Sequence, residues 1–175
     1  MKKYISIPEN ILDEPDDYWL CERIYLFVLG FFGNQHLPAK EIDSRTDIPE
    51  VAKNVWHLWL FATEVSSSGV PDYLLNHCSS VEQLVFTHRA LKIIHADEMV
   101  MLLEAAIPLV RAEANAQGGF GEVADHDWMN QFQVNPLWSD RQRIAEQSCE
   151  LAAPPFFLAL AKYVRAHRTE LHPQT

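Results

Sequence analysis

The amino-acid sequence predicts an all-α fold, a single domain over residues 1–175 built as a bundle of about seven helices. Three observations carry this. Apolar residues recur at helical spacing through most of the chain, while alternating patterns and β-branched runs are scarce. Helix-start signals repeat along it, each followed by an apolar run. A chain of 175 residues, 48% hydrophobic and 11% aromatic, is long and apolar enough to bury one core, and no repeat or low-complexity tract divides it.

The first helix is expected from Pro15 to Phe32, with Leu20, Ile24, Phe27, Val28 and Phe31 as its stripe and Gly33-Asn34 as its stop. A polar connector, Gln35 to Thr46, follows. Asp47 is placed to cap a second helix, with Pro49 in the first turn and Glu50 closing a capping box. Val55, Leu58, Trp59, Ala62 and Val65 form one face and Trp56, Leu60 and Phe61 another, the pattern of a central helix that ends at Ser66-Ser67-Ser68-Gly69. A short helix over Pro71–Cys78 is expected next, and then one capped by Ser79 and Glu82. Its inner face carries Val81, Leu84, Val85, His88, Leu91 and His95. Ala96-Asp97-Glu98 opens a long helix with Leu102, Leu103, Ala106, Ile107, Leu109 and Val110 in the core, kinked or broken at Pro108 and closed by Gly118-Gly119. After a loop to Asp125 come a helix over Asp127–Ala152, interrupted at Pro136, and a last one from Pro154 to His167. The last helix buries Phe157, Leu160, Ala161 and Val164 and gathers Lys162, Arg165, His167 and Arg168 at its C-terminal end.

Twenty-four Asp and Glu face fourteen Lys and Arg, a net charge of −10, so direct binding to nucleic acid is not expected. The apolar run Ile24–Gly33 is about half of a membrane span, and no apolar segment follows Lys2-Lys3 as in a secretory leader. The expectation is a cytoplasmic protein without membrane contact, in which Cys21, Cys78 and Cys149 stay reduced as small core residues.

No reactive motif stands out. His88 and His95, and His126 between Asp125 and Asp127, lack metal-ligand spacing, so neither metal nor cofactor is expected. The cysteines have no nucleophile signature, Ser67-Ser68-Gly69 is no nucleophile elbow, and Gly118-Gly119-Phe120-Gly121 lacks the basic residue of a phosphate loop. The acids are the more informative group. Residues 1–50 hold ten acids and five bases, eight of the acids gathered as Asp13, Glu14, Asp16 and Asp17 and as Glu41, Asp43, Asp47 and Glu50. At helix N-termini such carboxylates contribute ~0.3–1 kcal/mol each without any partner. As an array they would attract a basic protein, with salt-sensitive affinity.

From Trp56 to Val110 the chain carries a recognisable succession. A helix ends Glu64-Val65, a Ser-Ser-Ser-Gly turn follows, and Tyr73-Leu74-Leu75-Asn76 completes an aromatic segment. Arg89-Ala90-Leu91, Ala96-Asp97-Glu98…Leu102-Leu103-Glu104-Ala105-Ala106 and Leu160-Ala161-Lys162-Tyr163-Val164 continue it. In these residues the chain resembles the DNA mimic protein 19-like family, a bacterial helical family. It differs at the turn, where Ser67-Ser68-Gly69 stands for the usual Asn-Gly-Gly, and at Asp72, where Gln is common. The resemblance implies an all-α fold, no catalytic residues, and an acidic surface that occupies a DNA-binding protein by imitating phosphates. Of the motif residues Glu64, Gly69, Tyr73 and Asn76, structural roles are expected: Glu64 satisfying backbone groups of the turn, Asn76 capping a helix, and Tyr73 packed with its hydroxyl at the surface. The expected function is a non-enzymatic acidic binding protein for a basic partner, such as a DNA-binding protein. The alternatives are an immunity or antitoxin-like protein that neutralises a toxin, and a small enzyme with a pocket lined by His88, His95 or Cys78.

Overall fold

A computed structural model describes residues 5–34, 38–77, 80–117, 128 and 131–172. Among these the chain is helical throughout its regular structure and contains no strand. After an extended stretch the chain makes one turn, α1 (Glu9–Leu12), and enters α2 (Asp17–Phe31). Asp16 caps α2 by accepting from the Trp19 N–H at 2.9 Å. Leu20, Cys21, Ile24, Tyr25 and Val28 are buried, whereas Phe31, expected in the stripe, is 47% exposed. Gly33 and Asn34 both take positive φ, 67° and 61°, and end the helix as expected.

The connector is not wholly irregular, because Ala39–Ser44 forms a short helix, α3. Among its described side chains Ile42 is the core anchor, too little to leave a periodic signature. Nor does Asp47 cap the central helix α4 (Glu50–Asp72): the cap position is Pro49, without a side-chain hydrogen bond. Asp47 instead grips Arg45 through both carboxylate oxygens, at 2.7 and 2.5 Å.

As its two apolar faces require, α4 is buried almost all round. It does not stop at the Ser-Ser-Ser-Gly run. Gly69 adopts φ 79°, ψ 167°, kinks the helix, and lets it continue to Asp72 and unwind into a π-helical turn, Tyr73–His77. The amide that the kink frees, Val70 N–H, donates to the Ser148 hydroxyl at 2.9 Å. A Cβ on Gly69 would lie 2.6 Å from the Ala145 Cα, so the close approach there requires glycine on both counts.

Helix α5 (Val81–Ile93) is capped by Ser80, one residue later than expected, through the Gln83 N–H. His95 is not on that helix face: it lies exposed in the turn beyond, with φ 56°. Helix α6 (Asp97–Gln117) runs through Pro108 without ending, and its closure at Gly118-Gly119 lies outside the described residues, as do His126 and its flanking acids. Of the helix expected over Asp127–Ala152, Trp128 is helical, while 127, 129 and 130 lie outside the described residues; the chain is irregular from 132 to 135 and helical again from Arg141. Asn135, ahead of Pro136, is extended (φ −91°, ψ 116°), as a residue before proline prefers, and a 3-10 turn covers Pro136–Trp138. Asp140 then caps α7 (Arg141–Leu151), bonding the Gln142 and Arg143 N–H groups. Helices α8 (Pro154–Ala166) and α9 (Arg168–Leu171) finish the chain, with Phe156, Phe157, Leu160, Ala161 and Val164 buried on α8.

Helix α4 is the axis of the bundle. Helices α2 and α8 pack together on one flank, α5 and α6 on another, and α7 lies along the kinked end of α4. One core reaches from Ile5 to Leu171. The two ends are knitted: Ile7 N–H donates to the Leu171 carbonyl at 2.8 Å, and Arg168 reaches back to the Leu12 carbonyl.

Candidate functional site

The acids singled out from the sequence fall at two places, and most meet a cation of the chain itself. In the first group Asp13 pairs with Arg168 at 2.7 Å, Glu14 with Arg23 at 2.9 Å, and Asp17 with Arg165. Arg165 also donates to the backbone carbonyls of Glu14 and Pro15, so α8 and α9 clamp the segment that leads into α2. Asp16 has no basic partner among the described residues and serves as the cap of α2. In the second group Asp43 and Glu50 share Arg89 at 2.7 and 3.2 Å, and Lys53 lies 3.6 Å from Glu50 while donating to the Asp43 carbonyl. The Arg45 guanidinium holds the Asp47 carboxyl below the usual carboxylate range, chiefly by hydrogen bonding. Glu41 is exposed without an ion pair among the described residues.

Most of these pairs are at the surface, although Lys53 is buried and the Glu14 side chain is only 12% exposed; exposed pairs contribute only ~0–1 kcal/mol each, so a competing cation can exchange into them. Carboxylates that the sequence did not single out also face solvent unpaired among the described residues: Glu9, Asp97, Glu98, Glu150 and Glu170. They are scattered along the chain, and clustering was the only signal available from sequence.

The motif residues are built into the fold. The Glu64 carbonyl accepts from the hydroxyls of Ser67 and Ser68 at 2.8 and 3.1 Å. Tyr73 is 1% exposed, edge-on to Phe61, and its oxygen accepts from the Gln83 amide at 3.2 Å, so its hydroxyl is not at the surface. Asn76 belongs to the π-helical turn. Asp72 pairs with Arg141 across to α7.

Of the residues of the enzyme alternative, His88 and His95 sit in different surroundings. His88 Nε2 is 2.7 Å from Glu104 on α6, with Trp128 and Phe132 edge-on to its ring. His95 lines a groove against α8, and Cys78 lies outside the described residues. Burial pushes the Cys21 thiol up to about 12 and raises that of Cys149, the opposite of an activated nucleophile. Among the described residues no group of three or more His, Cys, Asp and Glu is placed to hold a metal ion, and no helix is long and apolar enough to cross a membrane.

Sequence reasoning missed the outer face of α2. Trp19 and Leu26 are 50% and 49% exposed and, with Arg23 and Gly30, follow an i, i+4, i+7, i+11 stripe opposite the buried one. That second stripe was readable from spacing alone.

A family model described as DMP19-like protein matches residues 46–167, more than half of the chain. No curated protein and no solved structure matches it.

Proposed function

The chain belongs to the DMP19-like family, and from that premise we propose that it is a non-enzymatic binding protein that engages a basic protein partner, of the DNA-binding kind, through its anionic exterior. The supporting observation is the set of outward carboxylates without a cation of their own among the described residues, Asp16, Glu41, Asp97, Glu98, Glu150 and Glu170 included, on a chain of net charge −10. DNA carries a charge per ~1.7 Å of axis, and carboxylates ~5–6 Å apart on neighbouring helix turns give a sparser version of the same field. Asp16 and Glu41 make first contact in this reading. Asp13, Glu14, Asp17, Asp43, Asp47 and Glu50 join by exchanging their own arginines for the partner's.

The test is capture from the native host at low salt, identification of the captured protein, and displacement of DNA from that protein by the purified chain. Apparent affinity falls about tenfold or more between 50 and 300 mM salt if several charges are engaged. A partner that holds DNA and this chain together, or an affinity indifferent to salt, removes the reading. One observation favours the toxin-neutralising alternative: the exposed Trp19 and Leu26 on α2 would suit an apolar interface, whose affinity is salt-tolerant.

A further inference from the structure

Between the start of α2 and the junction of α7 with α8 lies a groove of about 520 Å³, within the range of ligand sites. Asp16, Asp17 and Tyr18 form one wall, Phe157 another, and Ala152 and Ala153 the end. Tyr18 is 40% exposed, its ring 4.9 Å from Trp59 and 5.0 Å from Phe157, and Trp19 stands edge-on to it at the rim.

Two features of this groove select the same chemistry. Its charged groups are both acids, and Arg165, the base beside it, is already held by Asp17 and two backbone carbonyls, which leaves Asp16 uncompensated. Tyr18 and Trp19 keep 40% and 50% of their surface exposed, while Phe157 is buried. Elsewhere the protein covers its rings with its own arginines, Arg45 over Phe32, Arg89 over Phe86 and Arg143 over Trp138, yet among the described residues none lies over Tyr18, Trp19 or Phe157.

We propose that this groove is the anchor point for an arginine side chain of the basic partner, its guanidinium against Tyr18 and Asp16 and its methylenes against Phe157. A guanidinium suits the site better than an ammonium, because it is flat, stacks on rings and is weakly hydrated. The inference rests on the proposed function and supplies its point of contact.

The experiment titrates the full-length protein with a blocked glycine-arginine-glycine peptide and with its lysine and citrulline counterparts, following backbone amide shifts by NMR. The arginine peptide shifts Tyr18, Ala152 and Ala153, and citrulline, which is isosteric and neutral, binds about tenfold more weakly. Asp16→Asn weakens the arginine peptide about threefold or more while keeping the α2 cap, since Asn caps as well as Asp. Tyr18→Leu does the same while keeping apolar contact with Trp59 and Phe157. Citrulline or lysine binding as tightly as arginine, shifts confined to other residues, or no saturation at millimolar peptide overturns the assignment. Salt-sensitive capture of a basic partner that both variants leave unchanged removes the groove and leaves the broader function standing. Peptide binding in the groove without any basic partner does the reverse.

Discussion

His57 is 3% exposed on α4, its ring stacked on Phe86 with 5.3 Å between centroids, and its Nε2 has no hydrogen-bond partner among the described residues. Burial is the main cause that lowers its pKa to about 4 from the usual 6.5. The unfolded chain therefore binds a proton below pH 6.5 that the folded chain refuses until about pH 4. The stability this neutral ring contributes is complete above 6.5 and is lost as pH falls toward 4, a loss of about 3 kcal/mol. Urea unfolding at a series of pH values should show that slope, and His57→Leu should flatten it. Asp47, lowered from 3.8, acts at more acid pH and does not overlap this window. Gly69 gives the second residue-scale expectation. Gly69→Ala must strain a φ of 79° and collide with the Ala145 backbone, and should cost about 2–4 kcal/mol in the same assay. From sequence Gly69 read as a helix stop, a sound inference from local chemistry. The Ser148 hydroxyl that takes over the freed amide is 78 positions away and invisible to any local rule.

At the scale of elements, α7 holds both halves of the kinked α4. Ser148 receives the Val70 N–H, and the Cys149 Sγ lies 3.3 Å from the Val65 carbonyl as donor. Ser148→Ala orphans a buried amide and should destabilise by about 1–3 kcal/mol, with faster hydrogen exchange at Val70 as the local signature. The arginines of α8 and α9 act likewise on the approach to α2. Arg165→Ala together with Arg168→Ala should speed exchange over residues 12–20. It should also release Asp13 and Asp17, so that affinity for a basic partner rises at low salt and falls more steeply as salt is added. The long helices were legible because their apolar stripes repeat over several turns. The single turn α1 and the six-residue α3 were not, since each offers one or two core contacts and no period. The acid groups were legible as groups. Their resident partners were not, because Asp13 and Arg168 lie 155 positions apart and only the folded chain introduces them.

For the whole molecule, fold class and family followed from pattern, whereas the open groove depends on how α2, α7 and α8 meet, a tertiary fact with no counterpart in spacing. The same non-local logic governs the knitted ends. Ile5 and Ile7 are almost wholly buried, with Ile5 N–H donating to the Asp47 carbonyl and Ile7 N–H to the Leu171 carbonyl. On a ribosome adding about 5–20 residues per second, Ile7 waits roughly 8–30 s for Leu171 to be made, and longer for it to clear the exit tunnel. Through that interval the apolar leading segment stays in water without its berth. Nascent chains stalled before Val164 should accordingly be cut quickly by trypsin at Arg23, and chains stalled with Leu171 well outside the tunnel should resist. Biosynthesis of this protein thus has a vulnerable period whose length is set by the distance, along the message, between its first buried isoleucines and its last buried leucine.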